Sequence, residues 1–213
     1  MKNDTLSIEI KNYLKELKEF GEYWFNQKKN IYRWFKGPNK KCDRFLEEKY
    51  GKLYEFIVNL HNNTKAMREI KNDKILFLYA IIALDQLSRH FYRNDYRAFE
   101  QDSKAYMLSK QYIKRYGFDH LSVDEFIFLM VVFQHQEDVK AHQKALEYNL
   151  KKVESLEINK KNNDKMIDSY KYTLEHQKVI EKFGYYPKRK IICGEKLTKE
   201  DKEYIKSSAY TFF

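Results

Sequence analysis

Three stretches of the chain set ionisable residues directly against apolar runs, and these are the places where chemistry could sit. The first is Asp85-Gln86-Leu87-Ser88-Arg89-His90-Phe91-Tyr92-Arg93, which continues the apolar run Ile75–Leu84. On a helix Leu78, Ile81, Ile82, Asp85 and Arg89 share a face, and Asp85 can pair with Arg89 four residues on. Two readings follow: a buried ion pair that anchors helices, or an anion site where Arg89 and Arg93 hold a carboxylate or phosphate. The second stretch is Gln134-His135-Gln136-Glu137-Asp138, followed by His142-Gln143. On an unbroken helix His135, Asp138 or Val139, and His142 lie on one side. Two imidazoles and a carboxylate at that spacing are a weak metal signal, and no metal or cofactor is assigned. An imidazole oriented by a carboxylate for acid–base work stands beside a satisfied structural network. The third stretch runs from Glu175-His176 to Phe183-Gly184-Tyr185-Tyr186-Pro187-Lys188-Arg189-Lys190. There a Tyr-Pro turn would hold Arg189 in a defined place, for a phosphate or a stacked base. The alternative is a helix C-cap with solvated lysines.

Known nucleotide, metal and nucleophile motifs are missing: no GxGxxG, Walker loop, HExxH, CxxC or GxSxG. Cys42 has Lys40 and Lys41 nearby but no histidine close in sequence, so an activated thiolate is not indicated. The arginines are more informative. The chain has 33 Lys and 8 Arg, and three of the arginines are Arg89, Arg93 and Arg97. Where lysine is the default cation, arginine points to a need for a planar fork.

These residues need a scaffold of about the size the chain supplies. Its 213 residues, 43% hydrophobic and 16% aromatic, exclude general disorder and can bury one core. Six Gly and two Pro argue against a turn-rich β-sandwich, and two Cys exclude a disulfide scaffold. A reduced cytoplasmic chain is the expectation. The longest apolar run has ten residues, too short to span a membrane, and the polar amphipathic start does not read as a signal peptide. The net charge of +10 admits an RNA partner. Yet acidic residues are interspersed, and the Lys, Asn, Ile and Tyr excess suits an AT-rich coding sequence.

Helical periodicity dominates. Residues 5–25 repeat apolar positions at three and four, Gly37-Pro38 marks a turn, and Asp43 opens a second helix. Residues 61–72 are polar and read as a connection. Asp73 is the expected N-cap of a central helix from Lys74. A helix over about 102–116 ends at Gly117, and Ser122-x-x-Glu125 caps the next. That cap makes 126–133 helical although its composition also suits a strand. A break is expected near Gln136–Asp138, a loop over 157–164, a helix over 165–183 stopping at Gly184, and a last helix capped by Thr198-x-x-Asp201. The Trp-Phe pairs at Trp24 and Trp34 read as core aromatics. The fold expected is all-α, roughly seven to nine helices packed as antiparallel pairs, α-solenoid-like, in a single domain over 1–213. No internal repeat is visible.

Taken in order, the three clusters resemble the bacterial family called domain of unknown function 924. Its members carry D-Q-F-P-R-N, H-S-E-D followed by a Gln, then a His, then F-G-R-F-P-H-R-N. This chain has DQLSRH at 85–90, YRNDYRAFEQD at 92–102, HQED at 135–138 with Gln143, His176, and FGYYPKR at 183–189. The resemblance covers nearly the whole chain. It implies a tetratricopeptide-like helical fold with the polar motifs in one groove, and no settled activity. By position it carries over Asp85, Gln86, Arg89, Arg93, Asp102, His135, Glu137, Asp138, Gln143, His176 and Arg189. The chain departs from the pattern at Ser88, Tyr185, Lys188 and Lys190, and these departures bear on whether it keeps any activity the family has.

The leading functional expectation is a groove that binds, and could act on, a phosphate-bearing small molecule or nucleotide. Asp85, Gln86, Arg89, Arg93, Gln143 and Arg189 would hold the ligand. His135 or His176, with Glu137 or Asp138, would move a proton. The alternatives are a protein-interaction scaffold using a tetratricopeptide-like groove and an RNA-binding protein with a steep salt dependence.

Overall fold

The structure, a computed structural model, describes residues 7–25, 39–155 and 160–207, with the side chains of 160–163 left aside. Among these residues there are α-helices and no strands. The order is α1 (Ile8–Phe25), α2 (Lys40–Asn59), α3 (Lys65–Asn72), α4 (Lys74–Ile82), α5 (Ser88–Phe91), α6 (Asp102–Tyr116), α7 (Val123–Gln134), α8 (Val139–Ser155), α9 (Lys160–Phe183), α10 (Pro187–Ile192) and α11 (Lys199–Ser207). A π-helical turn, Ala83–Leu87, joins α4 to α5, and a 3₁₀ turn, Tyr96–Ala98, precedes α6. The helices outnumber the expectation because α3 and several short segments carry too few apolar residues to show a period.

The chain forms two compact units. Unit 1 holds residues through Arg93 together with Gln101–Gly117; unit 2 holds Asn94–Glu100 and everything from Phe118 on. In unit 1, α1 packs on α2 and α4, α2 on α5, and α4 on α6. Asp73 caps α4, its carboxylate accepting from Ile75 N and Leu76 N, which contributes about 1 kcal/mol. Every residue from Phe77 to Leu87 is buried, so this rod forms the centre of its unit. In unit 2, α7, α8 and α9 pack on one another, and α10 packs on α11. The Ser122–Glu125 capping box is present in both directions, which settles 126–133 as helix. A matching reciprocal pair joins Thr198 and Asp201 at α11.

Several local expectations need correction. The N-cap of α2 is Asn39, whose side chain accepts from Cys42 N, and Asp43 serves a different purpose, described below. The polar stretch 61–72 contains α3, capped by Thr64, with Ala66, Met67 and Ile70 buried. Residues 160–164, placed in a loop by their polarity, belong to α9. The break before α8 does occur, between Gln134 and Val139, so His135 and His142 sit on different helices' ends and not on one helical face. Gly37-Pro38 and Trp34 lie outside the described residues.

Candidate functional site

In unit 1 the rod from α4 to α5 presents the first cluster. The π turn places Asp85 and Gln86 inside, with Asp85 wholly buried and Gln86 nearly so; such turns are frequent at functional sites. Arg89 reaches Asp102, at the start of α6, with both forks, NH1 to Oδ1 at 2.9 Å and NH2 to Oδ2 at 3.0 Å. NH1 also donates to the Asp85 carbonyl at 2.7 Å and lies 3.4 Å from its Oδ1. Gln86 Nε2 donates to Asp85 Oδ2 at 2.6 Å. Arg89 therefore sits between two carboxylates of its own unit. Asp102 at the first turn of α6 is further favoured by the helix dipole.

A second network lies beside it. Asp43 of α2 accepts from His90 Nδ1 at 2.7 Å and from Arg93 Nε and NH2 at 2.8 and 2.7 Å. The indole of Trp24 meets the His90 ring edge-on, with centroids 5.8 Å apart. Burial opposes ionisation of Asp43, but the hydrogen bonds from Arg93 and His90 outweigh it and lower its pKa. Burial depresses His90 despite that carboxylate. Arg89 and Arg93 thus serve different carboxylates, Asp102 and Asp43.

Unit 2 collects the histidines. His135 caps the end of α7 and is 7% exposed. Its carbonyl accepts from Arg189 NH2 at 2.8 Å, which answers where the Tyr-Pro turn sends that arginine. The Arg189 guanidinium carbon lies 4.5 Å from the Phe99 ring centre and 5.1 Å from that of Tyr186. His142 is fully buried, with its Nε2–H donating to Gln136 O at 2.8 Å and no partner for Nδ1. His176 Nδ1–H donates to Tyr172 O at 2.8 Å, leaving Nε2 the unprotonated nitrogen of the neutral ring. The rings of His142, His176 and Tyr186 lie 5.8 to 6.5 Å apart. Burial drives His176 well below the ordinary histidine value, and His135, His142 and Arg189 push it the same way. Burial also lowers His142, against its hydrogen bond to Gln136 and the charge of Asp138.

The neighbouring carboxylates accept backbone hydrogen bonds. Glu137 is exposed and accepts from Tyr186 N at 2.8 Å, fixing the turn into α10. Asp138 is exposed and accepts from Lys140 N at 3.0 Å at the entry of α8. Gln143 is exposed on α8.

Sequence reasoning missed a buried polar layer between α7, α8 and α9. Gln134 Nε2 donates to Thr173 Oγ1, Thr173 to Ser169 O, and Ser169 to Asn149 Oδ1. Ser169, Thr173 and His176 share the inward face of α9 at helical spacing, so small polar residues in phase with Met166 and Ile180 were the available signal.

Residues 21–209 match the family described as bacterial protein of unknown function (DUF924). The chain belongs to this family. A solved protein of unknown function from Agrobacterium tumefaciens, ATU0120, shares the fold at a TM-score of 0.70 and 20% identity, over 93% of this chain and 99% of that one. No curated protein matches. Among the described residues of this DUF924 member, no helix is long and apolar enough to cross a membrane. The chain's departures from the family pattern have definite places. Ser88 Oγ donates to Asp85 O at 3.1 Å within the π turn. Tyr185 OH donates to Asp201 Oδ1 at 2.9 Å, and Lys190 Nζ lies 3.3 Å from Asp201 Oδ2 and 3.8 Å from the Tyr185 ring centre. Lys188 is half-buried in the first turn of α10.

Proposed function

We propose that this chain binds a phosphate-bearing small molecule or nucleotide through unit 2, with Arg189 as the anion anchor. The observation that carries this reading is the gathering of a buried guanidinium and three buried imidazoles in one unit, with His135 and Arg189 adding to the burial that lowers the proton affinity of His142 and His176. A bound anion would raise that proton affinity again. The half-buried Phe99 ring against the guanidinium supplies a flat surface of the kind that suits a base or ring. Proton transfer is assigned to His176 through Nε2, with His135 beside it. Arg89 and Arg93, each already on a carboxylate, are given the role of holding the helices of unit 1 together. A single domain and a cytoplasmic location belong to the same proposal; neither cysteine forms a disulfide.

The test is calorimetric binding of nucleotides, sugar phosphates and inorganic phosphate to the full chain and to Arg189→Lys and His176→Gln. A ligand at about a hundred times its Kd stabilises by about 2.7 kcal/mol. Binding should weaken at least about tenfold in Arg189→Lys and should strengthen as pH falls from 8 to 6, because the bound anion favours protonated imidazole. Absence of any binding, or equal binding by both variants at all pH values, overturns the reading.

One observation favours the scaffold alternative. Leu150 and Val153, three apart on α8, are exposed at 52% and 39%, a small apolar strip that a partner helix could cover. The RNA alternative gains less, since surface lysines such as Lys144, Lys151 and Lys178 lie in ion pairs with Glu147 and Glu175.

A further inference from the structure

Unit 1 contains a groove of about 430 Å³ between α1, α2 and the end of α5, lined in part by Phe91 and Tyr92, which sit between His90 and Arg93. Its volume falls in the range of small-molecule sites. Three rings line it as a corner: Tyr54 and Phe91 meet at 81° with centroids 5.3 Å apart, Phe91 and Tyr92 at 79° and 6.4 Å, and Tyr54 and Tyr92 at 57° and 6.2 Å. Steeply crossed aromatic rings along a half-open groove are the kind of lining that attracts a cation partly stripped of water.

Charge points the same way. The lining carries four glutamates and two lysines; Glu48 is paired with Arg44 at 2.7 Å, which leaves an excess of one negative charge on a chain whose net charge is +10. Lys49, one of the two, already lies over neighbouring rings, 5.1 Å from the centre of Tyr50 and 5.6 Å from that of Tyr23. Glu16 is half-buried at the wall, and its pKa is raised by that burial and by Glu19. A cation in the groove would offset both effects.

The wall also holds an otherwise unexplained glycine. Among the described glycines, Gly117, Gly184 and Gly194 adopt positive φ, and a Cβ on Gly21 would strike the Tyr79 ring. Gly51 has neither reason: it lies inside α2, and a Cβ there would meet nothing within 4 Å. A helix-interior glycine costs about 1 kcal/mol relative to alanine. Here its effect is to leave room in the groove.

We propose that this groove of unit 1 binds a small organic cation with a quaternary ammonium head. Such a head has no N–H to satisfy, so ring faces and nearby carboxylates can replace its water. This inference is independent of the anion site in unit 2.

The experiment titrates the full chain with tetramethylammonium and choline, followed by NMR line broadening of the ligand methyl signal at constant ionic strength. The control is choline's neutral carbon isostere, in which a quaternary carbon replaces the nitrogen. Two variants accompany it, Phe91→Leu and Gly51→Leu. Saturable binding of both cations is expected, at least about tenfold tighter than the isostere. Gly51→Leu should abolish it while leaving the melting temperature equal or higher, because leucine favours helix over glycine. Phe91→Leu should weaken it. Absence of saturable cation binding, equal binding of the isostere, or undiminished binding by Gly51→Leu overturns the proposal.

Discussion

Arg89 shows how one side chain can be read two ways until its partners are known. Its type and spacing pointed equally to an ion pair and to an anion site, and the position of Asp102 could not be deduced from sequence. In the structure the guanidinium pairs with two largely buried carboxylates, with side-chain exposures of 14% for Arg89, 9% for Asp102 and none for Asp85. Removing one member of such a set strands the others without solvent, which costs about 3–5 kcal/mol. Arg89→Met should therefore lower unfolding stability by about 3 kcal/mol in urea titrations, with binding of the unit 2 ligand retained once the variant is folded. Arg93→Met should cost about 1 kcal/mol, because its side chain is 30% exposed and water can replace it on Asp43. Equal losses for the two would show that exposure does not set the scale here. Asp43 teaches the same lesson from the other side. Its place in the sequence predicts that it opens the second helix, but α2 starts at Lys40 behind the Asn39 cap, and only long-range contacts with His90 and Arg93 reveal what Asp43 does.

At the level of elements, helices with strong caps or a dense apolar period were legible, and helices held by one or two buried residues were not. Asp73 and the Ser122–Glu125 box announced α4 and α7, because capping is local and its donors are the next few backbone amides. α3 went unseen because its stability comes from burying Ala66, Met67 and Ile70, a tertiary effect inside a polar octamer. Two lysines that looked like surface charge fasten elements together. Lys104 Nζ donates to the carbonyls of Ile57, Val58 and Leu60 at 2.8 to 3.0 Å, closing the end of α2. Lys152, 1% exposed, does the same for Phe118, Asp119 and Leu121 ahead of α7. Each ammonium uses its three donors on carbonyls at a helix end or turn, of which Ile57 O and Phe118 O also accept from a backbone N–H. Lys104→Met keeps the apolar stem but takes the ammonium away from the last carbonyls of α2, leaving only the backbone cap of Leu60 N on Ile57 O. It should cost about 2 kcal/mol and speed amide exchange selectively over the last turn of α2. A uniform change in exchange over the whole chain would argue against a local cap. The departures at Tyr185 and Lys190 also belong to this scale. Both groups turn to Asp201, so α10 is tied to α11 by a contact that no single motif contains.

For the molecule as a whole, the histidines dictate how stability should follow pH. His90 in unit 1 and His142 and His176 in unit 2 are all held below the ordinary histidine value, with burial the largest cause in each. In the unfolded chain each takes up a proton near pH 6.5, whereas in the folded chain it stays neutral further into acid. The unfolded state then binds more protons, so stability is full above about pH 6.5 and declines as pH falls through the range below it. Each such histidine adds at most about 1.4 kcal/mol per pH unit to the slope. A second loss follows at lower pH. Asp43 and Asp201 have lowered pKa values, because hydrogen bonds outweigh their burial, and their contribution disappears as pH drops below about 4 towards their folded values. Urea midpoints measured between pH 8 and 5 should fall with acidity, and the slope should flatten in His142→Asn and in His176→Gln. A phosphate-bearing ligand bound in unit 2 should flatten it too, since the anion raises the affinity of the folded imidazoles for protons. If ligand steepens the decline instead, the anion does not sit near those rings, and Arg189 is an internal brace of its unit.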